Sequence, residues 1–218
     1  MRISTVLTFV ALMTGAWMGS AWADTGDVCH LLPVTASSTV LKPAQSVGVL
    51  YSENTVGTLA YLQRYHNMAV QGAKGSRLDP RIRAALVSSS DPRLAIEWLE
   101  NSLHKNFASV TVYSDLDALV QAHPDVTVML DAYSQLVTQN NTQALARYSA
   151  TFYDAQLRYI GRAEGAGSQQ LPAIWVHDTS APEIAAQINR QRALQVDALK
   201  QFDGSLRALL TPGEVAAN

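Results

Sequence analysis

The chain has 218 residues, 16 Lys and Arg against 18 Asp and Glu, a formal net charge of −2 and 48% hydrophobic residues. That near-neutral balance excludes a basic nucleic-acid face and a polybasic membrane anchor. The length suits one domain of moderate size with a real core, and the single cysteine, Cys29, excludes an intrachain disulfide.

Residues 1–23 read as a cleavable signal peptide. A short basic region ends at Arg2, an uncharged apolar stretch runs from Val6 to Met18, and Ala21-Trp22-Ala23 supplies the small-residue cleavage pattern before Asp24. The apolar stretch falls short of the ~20 residues that span a bilayer. Export to the periplasm is the expectation, with an outer-membrane-associated or extracellular location as the alternative. Cys29 follows Asp24-Thr25-Gly26-Asp27-Val28, which is too polar for a lipidation box. It reads as a buried or idle thiol near a loose terminus, with a disulfide between chains as the alternative.

Residues 24–45 carry Pro33, Pro43 and a small polar run, and read as an irregular leader. Ser46 to Tyr51 is a short apolar run followed by turn formers, the pattern of a buried strand. A helix with Leu59, Leu62, Tyr65 and Ala69 on one face follows. Gly72 to Ser76 breaks it, and Arg81 to Val87 fits either a helical turn or a strand. Asp91-Pro92 signals a helix start, with Leu94, Trp98, Leu99, Leu103 and Phe107 as its apolar stripe. Val110 to Tyr113 is predicted as a strand, and Ser114 as the cap of a short helix that ends at His123-Pro124. Asp125 to Leu136 alternates cleanly as a strand. Leu145 to Asp154 and Gln156 to Gly165 are predicted to form a hairpin around Asp154-Ala155-Gln156. Residues 165–178 read as a loop. Ser180-Ala181-Pro182-Glu183 then opens a long helix, stopped by Thr211-Pro212-Gly213, and residues 212–218 read as a frayed tail.

The predicted fold is therefore α/β, with the order β-α-α-β-α-β-β-β-α in one domain over 46–211. Its single mixed sheet is parallel in the N-terminal part and an antiparallel meander in the C-terminal part, with a long C-terminal helix.

An early Val47-Gly48-Val49-Leu50 strand is followed by Asp91-Pro92-Arg93-Leu94, Asp125 to Asp131, and a hairpin on Phe152-Tyr153-Asp154-Ala155-Gln156. With the alanine-rich last helix, this pattern resembles small bacterial envelope proteins over roughly residues 46 to 210. Examples of that class are ABC-transport auxiliary lipoproteins and the periplasmic domains of the curli secretion channel protein and of peptidoglycan synthase activators. The N-terminal domain of the Tol-Pal propeller protein is another. The resemblance implies an accessory role in assembly, docking or activation within the envelope, without catalysis; no cofactor is expected. Many members carry a lipidated cysteine, and this chain lacks the box for one.

Catalytic templates find little to hold. His30, His66, His104, His123 and His177 show no metal-ligand spacing, and no Gly-x-Ser-x-Gly elbow occurs. Gly165-Ala166-Gly167 lacks the third glycine of a dinucleotide loop. The expectation is a non-enzymatic accessory protein that binds a protein partner in the envelope, with no metal and no nucleic acid. Leu171, Ile174, Trp175 and His177 are the candidate binding residues, because the apolar run Leu171 to Val176 exceeds what a solvated loop needs. The alternative is a periplasmic small-ligand-binding protein or hydrolase using Asp131, Asp154 and the 165–178 loop.

Overall fold

A computed structural model describes residues 36–71, 78–138, 141–172 and 179–211. The signal segment, Cys29, Gly72 to Ser76, Ile174, Trp175, His177 and the 212–218 tail lie outside the described residues.

In chain order the elements are β1 (Ser46–Tyr51), α1 (Glu53–Gln71), α2 (Pro80–Ser89), α3 (Arg93–Asn106), β2 (Ser109–Val112), α4 (Leu116–Ala122), β3 (Val126–Gln135), β4 (Gln143–Asp154), β5 (Tyr159–Gln170) and α5 (Ala181–Leu210). The five strands form one mixed sheet in the order β2-β1-β3-β4-β5. β1 runs parallel to both β2 and β3, while β3-β4-β5 is an antiparallel meander. Helical crossovers force the parallel part and short turns the antiparallel part, as the sequence order implies.

The segment that read as either helical turn or strand is α2. Asp79 caps it by accepting from the Arg81 N–H, and Pro80 occupies its first turn. α3 begins one residue later than its Asp91-Pro92 signal implies, with Asp91 Oδ1 accepting from the Arg93 N–H at 3.0 Å. Asp115, not Ser114, caps α4, because the Asp115 carboxylate reaches the Ala118 N–H at 2.8 Å. α5 keeps the predicted capping box between Ser180 and Glu183.

Two corrections concern β5. The reversal after β4 is longer than Asp154-Ala155-Gln156: it extends to Arg158, with Leu157 at φ 58° and the Leu157 N–H donating to Asp154 O. The strand therefore starts at Tyr159. It also continues through Gly165 and Gly167 to Gln170, where a loop was expected. β4 is long enough to pair with all of it, the register running to Gln143↔Gln170. Helix α5 supplies the reason for the glycines. A Cβ at Gly165 would collide with the Ala198 carbonyl oxygen and the Phe202 amide, both backbone atoms of α5.

The main core lies between one face of the sheet and helices α3 and α5. Val47, Val49, Val126, Val128, Leu130, Phe152 and Tyr148 meet Leu99, Leu103, Leu199, Phe202 and Leu206 there. Trp98 packs against this core but is only partly buried, and its indole N–H donates to Asp203 of α5 at 3.0 Å. Asp203 also accepts from Ser102 at 2.5 Å. A smaller core joins Ile82, Ala85, Val137, Ala144, Leu171, Ile184 and Ile188. On the opposite face α4 docks where β1 has Gly48, at which a Cβ would collide with Pro124 and crowd Leu119.

Candidate functional site

Of the four predicted binding residues, Leu171 alone lies within the described part. It is 2% exposed in the smaller core, and its N–H donates to Thr142 O at 2.8 Å. Leu171 thus closes the sheet against α2 and α5 and offers no surface for a partner.

Asp131 and Asp154 do not converge. Asp154 stands opposite Val126 in the β3-β4 ladder, so the two share a face of the sheet. Asp131 is five positions further along β3, which places it on the other face and roughly 17 Å away. Each carboxylate is committed to structure. Asp131 accepts from the Ser52 hydroxyl at 2.5 Å. Asp154 is 2% exposed and accepts from the Ser37 hydroxyl, the Gln156 and Arg158 N–H groups and the Arg158 guanidinium. Burial pushes its pKa up, but these donors outweigh burial and hold it at about 2. A carboxylate so placed is a staple between the leader and the β4-β5 turn.

Among the described residues no cluster of three or more His, Cys, Asp or Glu side chains could hold a metal ion. Several clefts lie among the described residues. One of about 550 Å³ lies between α1 and α3, where Arg93 pairs with Glu97 and the Tyr51 hydroxyl donates to Glu100. An apolar cleft of about 260 Å³ runs between α1, α2 and α5 past Met68, Leu86, Leu136 and Gln191. The His66 ring nitrogen lies 3.2 Å from Val87 O, bracing α1 against α2.

The sheet's margins differ more than its clefts do. β3 outruns β1, whose last partner is Tyr51↔Leu130. Helix α1 closes the leftover edge. The Thr55 hydroxyl donates to Leu130 O at 3.0 Å and accepts from the Ala132 N–H at 2.8 Å, and Tyr61 accepts from the Leu136 N–H. Thr55 stands in for a strand residue, which explains why a threonine is wholly buried on a helix.

At one outer margin, β5 is covered. Its Glu164 N–H donates to the Ser205 hydroxyl of α5 at 3.0 Å, and its Ala166 N–H to Gln201 at 3.4 Å. At its start, the Tyr159 carbonyl accepts from the Ser37 N–H at 2.7 Å.

The other outer margin, β2, is open. Tyr113 donates its N–H to Val49 O at 2.9 Å, which fixes the alternation of the strand. The backbone of Thr111 therefore faces β1, and the N–H and C=O groups of Val110 and Val112 point away from the sheet. Among the described residues, no group outside the sheet bonds to them. Ser109, Thr111 and Val112 are exposed, Val112 by 43%. The strand carries no charge, no proline and no bulge, the usual guards of an edge. Across the nearby turn α4 exposes Leu116 and Val120, one helical turn apart.

Sequence reasoning located the strand but not its openness. A signal was present: four residues, all of them Ser, Thr or Val, with no charge between Lys105 and Asp115. That run stands out from the charged surface around it.

Neither a family model nor a curated protein sequence matches the chain. Among solved structures, the PelC dodecamer from Paraburkholderia phytofirmans is 10% identical, with a TM-score of 0.34, covering 77% of this chain and 93% of its own. A minor lipoprotein from Acinetobacter baumannii is 13% identical, with a TM-score of 0.28, covering 80% of this chain and 95% of its own. No helix among the described residues is long and apolar enough to cross a membrane. Likenesses as distant as these leave the reading of the chain to its own residues.

Proposed function

We propose that the chain is an exported, non-enzymatic accessory protein of the cell envelope that binds a protein partner along the β2 edge. One observation carries this reading. Among the described residues, the sheet is closed by α1 at the β3 overhang and by α5 at β5, and it is left open at Ser109–Val112. An unpaired edge of β-branched residues is the surface on which an added strand gains backbone hydrogen bonds. The N-terminal signal pattern supports an envelope location. Asp131 and Asp154, the carboxylates an enzyme reading would use, stand on opposite faces and serve as structural acceptors.

Site-specific photocrosslinking in cells tests the reading. A photoreactive residue at Thr111 should give a discrete protein adduct, and one at Glu164 on the covered edge should give none. Val112→Pro removes an outward N–H that the fold does not use, a change that edge strands tolerate. It should erase the Thr111 adduct while leaving in place the thermal midpoint of protein too dilute to associate. An adduct that survives Val112→Pro, or that forms only at Glu164, overturns the assignment.

A further inference from the structure

We infer that the occupant of the β2 edge is a second copy of this chain, paired antiparallel about a two-fold axis at Thr111. The inference rests on the edge reading above and names its partner.

The strand is self-complementary in this register. With the axis at Thr111, Val110 of one copy stands opposite Val112 of the other. These are the residues whose N–H and C=O groups point outward, so each such group finds a partner in the second copy. The side chains agree with the backbone. Val47↔Val110 and Val49↔Val112 put both valines on the core side of the sheet, so the junction would pair valine with valine. Thr111 would meet Thr111 of the second copy on the other side, a favourable pairing across strands.

Charge selects the antiparallel arrangement. The last turn of α3, just before β2, is basic, with His104 and Lys105. The turn just after β2 is acidic, with Asp115 and Asp117. Antiparallel pairing sets the basic end of each copy beside the acidic end of the other. Parallel pairing would set acid beside acid and base beside base, which is repulsive. Nothing charged lies within the strand itself to oppose the junction.

The register gives a specific test. Thr111 would form a non-hydrogen-bonded pair with its symmetry mate, with Cα atoms about 4.5 Å apart, within disulfide reach. In a Cys29→Ser background, Thr111→Cys should form a disulfide-linked dimer on mild oxidation, and Ser109→Cys should not. Sedimentation equilibrium of the exported protein should give twice the chain mass. Val112→Pro should raise the dissociation constant about tenfold or more. Lys105→Glu or Asp117→Lys alone should weaken the dimer, and the double exchange should restore it. If the protein is monomeric at every concentration and Thr111 crosslinks to a different protein, the second-copy inference fails and the edge reading stands. If it is monomeric and gives no adduct, both fail. A dimer indifferent to Val112→Pro and to the charge exchange places the interface elsewhere and overturns the inference.

Discussion

The two outer strands of the sheet solve the same problem in opposite ways. β5, over Tyr159–Gln170, is a long edge, and β2, over Ser109–Val112, is a short one. A long unpaired edge invites uncontrolled association, and here α5 lies against it, lending the Ser205 and Gln201 side chains to outward N–H groups. Among the described residues the short edge receives no such cover, and it keeps Val112 exposed while Val110 packs partly against the core. Coverage at β5 depends on an unusually close approach of helix to strand. Sequence features that look like flexibility there, Gly165 and Gly167, are features of packing. A protein that covers the edge needing cover and leaves one short, uncharged edge bare has restricted where another strand can add.

The comparison breaks most sharply at Gly165. The atoms that would meet a new side chain belong to the backbone of α5, so no rotamer change can make room. Gly165→Val should cost about 3 kcal/mol, at the upper end of overpacking penalties, because α5 must lift from β5. Val112→Ala on the open edge should change monomer stability by less than about 0.5 kcal/mol. Urea titrations at a concentration too low for association measure both. Equal losses at the two positions would show that β2 is held as firmly as β5, and the contrast would be lost.

What the sequence disclosed follows from how local each cause is. The alternation of Val126, Val128, Leu130 and Ala132 and the Ser180–Glu183 capping box are set by neighbours in the chain, and both appear as expected. α2 carried a local signal, Asp79-Pro80, of the same kind as Asp91-Pro92; its short length and the adjoining glycine-rich segment masked it. Extension of β5 to Gln170 was hidden, because glycine in a strand is locally unfavourable and only the approach of α5 demands it. Thr55 and Thr58 were missed on the buried face of α1 for a similar reason: Thr55 matches a leftover strand edge more than 70 residues away in the chain, reaching Leu130 O and the Ala132 N–H. The openness of β2 is a property of strand order. A strand becomes an edge only when the chain places it outside its neighbour; the uncharged run at Ser109–Val112 is compatible with an open edge but does not fix that placement.

Acid should attack the covered edge selectively. Asp154 holds the leader through Ser37, whose N–H in turn binds Tyr159 O at the start of β5. Its pKa stands at about 2 in the folded chain against an ordinary 3.8. Because the folded value is the lower one, the unfolded chain takes up the proton first. The stabilisation is therefore fully present above about pH 4 and lost as pH falls through about 2, on the order of 2 kcal/mol in all. Stability followed by urea titration across that window should fall in the natural chain, and Asp154→Asn should remove this part of the slope. Amide exchange near Tyr159 should accelerate in acid more than exchange at Val49, which lies beside the open edge. An unchanged slope in Asp154→Asn would mean that other carboxylates dominate acid unfolding and that the Ser37 tie is incidental.

The mildest change sharpens the comparison furthest, because it alters cover without altering packing. Ser205 and Gln201 sit on the outer flank of α5, away from Phe202 and Leu206, which fill the core. Ser205→Ala and Gln201→Ala remove the acceptors of the Glu164 and Ala166 N–H groups and leave the core side chains in place. Because the freed N–H groups lie near solvent, water can replace the lost partner, and each change should cost only about 0.5–1 kcal/mol. The effect should appear in exchange: protection at Glu164 and Ala166 should drop by roughly a factor of two to five per substitution, while protection at Ala163, whose N–H faces β4, stays put. If association through strand edges depends on cover, the doubly substituted chain should also gain a new self-association that Val112→Pro does not suppress. A doubly substituted chain with unchanged exchange and unchanged mass would show that shape, not hydrogen-bond cover, keeps β5 closed.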